Sequence, residues 1–147
     1  MPLFSPRHRF SEWPNGDIPA VSAGVYAIWE ADLLIYCGMS GRKIEEATGK
    51  TRYGLLTRLE SHASGRLSGD QFCVYVANRL VIPSLSADQL PQFADGEMTL
   101  DQLTKTYIRE RLDYQYVIVS SSSEAYALEK RCKEGHEFGV KPFLNPA

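Results

Sequence analysis

Two tyrosines, Tyr26 and Tyr36, sit ten residues apart in an apolar stretch, each two residues from a glycine (Gly24, Gly38). A phenol donates and accepts hydrogen bonds, but an ordinary pKa near ~10 keeps its proton on at neutral pH, so proton abstraction needs help. Arg58, in Leu-Leu-Thr-Arg-Leu-Glu-Ser-His, carries a planar fork suited to bidentate contact with phosphate. His62 follows at i+4 on the same helix and can take up a proton or hold a water. Glu129, in Ala-Leu-Glu-Lys, offers one carboxylate to a hard cation, and Asn145, in Leu-Asn-Pro, offers an amide near the end of the chain. Each residue also has an ordinary structural reading. The tyrosines read as a stacked sheet pair, Arg58 as a stem lying along leucines, and His62 as a half-buried helix histidine. Glu129 reads as the partner of Lys133 at i+4, and Asn145 as the start of an Asn-Pro turn.

The elements around these residues narrow the choice. Residues 1–20 carry prolines at 2, 6, 14 and 19 and read as an irregular lead-in. Gly24 to Gly38 reads as two strands either side of Glu30-Ala31-Asp32, apolar on both faces and so expected to be covered by helices on each side. A charged, glycine-containing loop over 39–52 leads to a helix with leucines at 55, 56 and 59, ending near Gly65. Gln71–Ala77 is expected to be a strand with Phe72, Val74 and Val76 on one face, followed by a loop to Gly96 with one helical turn at most. Thr99 with Gln102, and Ser121 with Glu124, are capping-box pairs that start two further helices, the first running through Leu112. Gln115–Ser120 is the strand between them. Hairpin, helix, strand, helix, strand, helix is an α+β order with a small, mainly antiparallel sheet flanked by helices, in a single domain over 1–147.

A turn centred on Ala31 would set Tyr26 opposite Tyr36 and Gly24 opposite Gly38, with Val25, Cys37, Ala27, Ile35, Trp29 and Leu33 on the other face. An odd-length loop thus gathers both hydroxyls on one face beside two exposed stretches of backbone, and a one-residue slip would separate them.

Gly24-Val25-Tyr26, nine residues, then Tyr36-Cys37-Gly38 resembles the signature of the GIY-YIG nucleases. Arg58 on the first helix, His62 one turn later, Glu129 on a late helix and Asn145 near the end fall where that family carries its functional side chains. The resemblance spans about 24–146. It implies a metal-dependent endonuclease that hydrolyses DNA phosphodiesters through Tyr26, Tyr36, Arg58, His62, Glu129 and Asn145, with one Mg²⁺ or Mn²⁺ held by Glu129. Tyr26 is expected to act as general base and Tyr36 to position phosphate or water, with the two roles exchangeable. A non-catalytic nucleic-acid-binding module, or a catalytic subunit needing a partner, is the alternative. Compared with the minimal domain of that family, the loop from Gly38 to Arg58 is long. No lysine directly follows the second glycine, and 71–113 is an insertion in which recognition is expected to lie.

Composition limits the classes further. With 44% hydrophobic and 23% charged residues the 147-residue chain has the balance of a globular domain, and no apolar run nears the ~18 residues of a membrane helix. The N-terminal residues lack a signal-peptide core, and three scattered cysteines suit buried thiols, so a cytoplasmic setting is expected. Net charge is −2, yet 42–66 holds six bases (Arg42, Lys43, Lys50, Arg52, Arg58, Arg66) against three acids. Arg42, Lys43, Arg52 and Arg66 are therefore the candidate contacts to a DNA backbone. A homodimer or a recognition partner is compatible with the small size.

Overall fold

The computed structural model describes residues 3–146. Its strands are β1 (His8–Arg9), β2 (Val21–Glu30), β3 (Leu33–Ser40), β4 (Tyr53–Gly54) and β5 (Leu112–Val119). Its helices are α1 (Leu55–Ser64), α2 (Gln71–Val76), α3 (Leu90–Ala94), α4 (Leu100–Arg111) and α5 (Ser122–Lys133). The strands run β1-β5-β2-β3 across an antiparallel sheet, and β4 adds a short parallel pairing to the start of β2. This is the α+β arrangement expected from the sequence.

Because β2 lies between two strands and is apolar on both faces, the sheet needs two cores. One gathers Tyr26, Ile28, Leu55, Leu59, Phe72, Ile108 and Tyr114, and α1, α2 and α4 cover it. The other gathers Val25, Ala27, Leu34, Cys37, Ala125, Leu128 and Cys132 beneath α5. All three cysteines are buried, free thiols.

The hairpin register differs from expectation. The loop is the two-residue Ala31-Asp32, with Ala31 at φ 51°. Glu30 pairs with Leu33 and Trp29 with Leu34, but Ile28 pairs with Tyr36, so Ile35 is the extra residue of a bulge. Tyr26 consequently lies opposite Gly38, not Tyr36, and Gly24 lies opposite Ser40. The bulge restores the parity that an even loop would break. Both tyrosines still share a face, Ile35 joins them there instead of facing away, and Leu34 takes the place beside Trp29 that was expected of Leu33, which is exposed.

The second difference is Gln71–Ala77, which is helix. Asp70 caps α2 by accepting from the Cys73 N–H at 2.9 Å, and Phe72, Cys73 and Val76 bury a helical stripe. The helical run continues through a five-residue π segment (Ala77–Val81) and a 3-10 turn ending at Ser84. The insertion is thus mainly helical, and β5 starts at Leu112, earlier than expected. Within the lead-in, β1 and a 3-10 turn at Phe10–Glu12 are ordered, with Phe10 fully buried. Thr99 and Ser121 cap α4 and α5 as expected, but both boxes are half closed: among the described residues Gln102 returns no side-chain bond to Thr99, and Glu124 turns its carboxylate to Ser120.

Beyond α5 the chain crosses the free edge of β3. The Phe143 and Leu144 N–H groups donate to the Leu34 and Ile35 carbonyls at 3.1 and 2.7 Å. Asn145 then mimics a peptide, accepting from the Cys37 N–H at 2.8 Å and donating to the Cys37 carbonyl at 2.9 Å. An edge strand is covered by a tail.

Gly54, which opens α1, sits at φ 111°, and a Cβ there would lie 1.7 Å from the Ser22 carbonyl oxygen. Gly54→Ala is expected to cost at least ~2 kcal/mol. A lowered urea midpoint with an unchanged slope is the measurement that checks it.

Candidate active site

The tyrosine face of β2 and β3 meets the inner edge of α1. Helical spacing buries Leu55, Leu59, His62 and Ala63 of α1, while Arg58 stays exposed at the rim. His62, only 2% exposed, lies between two oxygens: its Nε2 is 2.7 Å from the Tyr26 hydroxyl and its Nδ1 is 2.7 Å from Asp70 Oδ2. Asp70 also accepts from Ser61 Oγ at 2.6 Å, besides capping α2. Burial raises the Asp70 pKa, but bonds from His62, Ser61 and the Cys73 amide outweigh it and bring the carboxyl down to about 2. Burial lowers His62 below its usual value, against the pull of Asp70. At neutral pH the consistent state is an ionised Asp70 accepting from a neutral His62 Nδ1–H. The Nε2 lone pair then accepts the Tyr26 proton.

Asp70 is the site residue the sequence reading missed. Its signal was available, since an aspartate after Gly69 and before a segment with apolar residues at i, i+1 and i+4 is a helix N-cap. The alternation of Phe72, Val74 and Val76 masked it.

Neither tyrosine is a ready base by itself. Burial above all, then Tyr36, raises Tyr26 well above the usual phenol value despite Arg58, and burial followed by Glu129 pushes Tyr36 up to about 12. Tyr26 is buried and Tyr36 half-buried, with ring centroids 6.3 Å apart. Phe72 from the insertion packs against both Tyr36 (5.0 Å) and His62 (4.7 Å). Gly38 makes room for this group, because a Cβ there would stand 2.4 Å from the Tyr26 hydroxyl. Gly24 is tight for another reason: its Cβ would meet the Val117 carbonyl oxygen and Leu55.

Two clefts lie nearby, and Tyr26, Tyr36, His62 and Asp70 line neither of them. Arg42, Arg52, Arg58 and Ser61 line one of about 420 Å³; Glu129, Lys133, Lys141 and Asn145 line another of about 560 Å³. Arg52 is tied to Glu60 in an exposed pair, which contributes little and is readily exchanged for a phosphate. Lys43 is exposed in the loop beyond Arg42. Arg66 lies apart, in a hollow with Asp101, Lys105 and Arg109, so it is not among the residues gathered here.

Glu129 is 9% exposed, and its recorded partner is the Lys133 ammonium at 3.5 Å. Among the described residues no three His, Cys, Asp or Glu side chains gather around a common point. One carboxylate facing an open cleft suits a hard divalent ion that keeps most of its waters and takes further oxygens from a phosphate. The residues fit such an ion and do not form a closed metal cage.

No family model, curated protein or solved structure matches the chain. Among the described residues no helix is long and apolar enough to cross a membrane. The functional reading therefore rests on the residues themselves.

Two outcomes follow from this geometry. Gly38→Ala is expected to displace the Tyr26 ring and lengthen its bond to His62, seen as a changed His62 imidazole resonance and an increased exposure of Tyr26. Because the folded state holds His62 below its unfolded pKa near ~6.5, it binds fewer protons than the unfolded chain. Stability is then full above about pH 6.5 and is lost as pH falls towards the depressed value. In His62→Gln this part of the pH dependence of Tm disappears.

Proposed function

We propose that the chain is a metal-dependent endonuclease of the GIY-YIG kind that hydrolyses DNA phosphodiesters. The observation that carries the reading is the buried hydrogen-bonded series Tyr26–His62–Asp70, with Arg58 on the same helix as His62. A buried phenol cannot wait as phenolate, but it can take a proton from water while handing its own to His62 Nε2. Asp70 stabilises the imidazolium that results and fixes the productive tautomer beforehand. Tyr36, half-buried beside it, orients the water, and Arg58 bridges two non-bridging phosphate oxygens. Glu129 would hold the divalent ion, which supplies positive charge to the phosphoryl and leaving oxygens when bound. Asn145 braces the Cys37 peptide beside Gly38 and lines the Glu129 cleft. Arg42 and Arg52 position the backbone without reading sequence.

One observation favours the second reading, a binding module without turnover. Lys133 lies against Glu129 where an ion would be held. On that reading the ammonium replaces the metal and the Arg58 cleft only binds phosphate.

Nicking of supercoiled plasmid with Mg²⁺ or Mn²⁺ separates the two. Wild type is expected to nick, with losses of ~10²–10⁴-fold in Tyr26→Phe and His62→Asn and ~10²-fold in Asp70→Asn. Salt-sensitive binding without cleavage in the wild type would leave only the binding module. The rate should rise with pH along an acid limb lying below about 6.5, where the depressed His62 loses its proton, and this limb should be absent in His62→Asn. Mn²⁺ binding followed by paramagnetic resonance should weaken at least ~10-fold in Glu129→Gln and persist in Asp70→Asn, whose carboxylate faces the relay.

A further inference from the structure

Between the Arg58 cleft and the Glu129 cleft lies a third hollow of about 480 Å³, lined by Met39, Arg42, Ser122, Ser123, Tyr126 and Ala127. It shares Met39 and Arg42 with the first cleft and Tyr126 with the second, so it adjoins both. Tyr126 is 58% exposed on α5, while its neighbours Ala125 and Leu128 supply the buried face. The core therefore does not require this ring. The Arg42 guanidinium stands 6.0 Å from its centroid.

The hollow has the wrong chemistry for a phosphate alone. Its floor is an aromatic ring, a thioether and a methyl group, and its cation stands at one side. A nucleobase matches it: the base offers a π-face to Tyr126 and apolar area to Met39, and the guanidinium can cover the other side. Ser122 and Ser123 add hydroxyl groups to the same lining. Tyr126 and Glu129 are i, i+3 on α5, neighbours on one helix face about 5–6 Å apart at Cβ. A base seated on Tyr126 thus belongs to the nucleotide next to a phosphate held at Glu129. In an intact duplex both faces of a base are already stacked on its neighbours, so the seat is open only to an unpaired nucleotide.

We propose that Tyr126 is a stacking platform that receives an unpaired nucleobase beside the scissile phosphate, which makes single-stranded, gapped or flapped DNA the preferred substrate class. This rests on the nuclease reading and adds its substrate preference.

The test uses the full chain, with Ca²⁺ in place of Mg²⁺ to hold substrate without turnover. The probes are a gapped duplex carrying 2-aminopurine in the gap and the matched intact duplex. Stacking is expected to quench the 2-aminopurine, and the gapped probe to bind more tightly than the intact one. Tyr126→Ala should lose the quench and bind the gapped probe about tenfold or more weakly, while Tyr126→Phe keeps both properties. Tyr126 is on the surface, so unfolding does not confuse the result, and an unchanged Tm verifies this. If wild type nicks plasmid but Tyr126→Ala quenches and binds as wild type does, the platform is overturned and the nuclease stands. An equal loss on both probes without any quench in wild type also overturns it and leaves Tyr126 an ordinary backbone contact. If wild type neither binds nor cuts any of these DNAs, the nuclease reading itself has failed and takes the platform with it.

Discussion

A single carboxylate joins the parts of this protein that sequence distance keeps separate. Asp70 accepts from His62 and Ser61 on α1 and from the first turn of α2, and it is buried together with His62 and Cys73. Without it α2 loses its cap, and His62 loses the charge that sets its tautomer. The cost of burying an ionised group is offset because three donors converge on it, which is the condition under which a buried charge is tolerated. Phe72 follows two residues later and packs on His62 and Tyr36. The helical block after α1 is therefore part of the wall of the site and not only an appendage for recognition.

The fold class was legible because it follows from local rules. Apolar residues on both faces of the hairpin require two covering layers, and α1 and α5 have clear stripes and stops. The register was not legible, since a two-residue loop with a bulge and an odd loop without one both leave the tyrosines on one face. Leu33, Leu34 and Ile35 distinguish them, since the bulge sets Leu34 beside Trp29, leaves Leu33 exposed and turns Ile35 to the tyrosine face, and a leucine or isoleucine suits either core. The Gln71–Ala77 segment fails differently: β-branched residues and period-two spacing suggest a strand, and one capping aspartate decides for helix.

The candidate site was legible as residue types and only partly as geometry. Tyr26, Tyr36 and His62 do gather on one face of the sheet, with Arg58 at the rim of the same helix, while Glu129 stands on α5 over the other face. Arg66 illustrates the limit of counting charges along a segment. It belongs to the basic run, yet α1 carries it past the Gly65 stop to another side of the molecule, beside Lys105 and Arg109. The expected route to an active tyrosine also changed, because burial moves both phenols away from ionisation. The group that meets the Tyr26 hydroxyl is instead the His62 Nε2 at 2.7 Å.

The tail connects the site's two halves. Edge strand β3 carries Tyr36 and Gly38 on one side of the sheet, while Glu129 stands on α5 over the other. Left open, Cys37 would present an unpaired N–H and C=O between them, at the position where the strand needs to be stiff. Asn145 satisfies both groups with one side chain and lines the Glu129 cleft, so the same residue fixes the strand edge and shapes that cleft. Holding Cys37 holds Gly38, and Gly38 is what lets the Tyr26 ring lie against the backbone in reach of His62. Asn145 is thus linked to the buried relay through Cys37 and Gly38 without touching it.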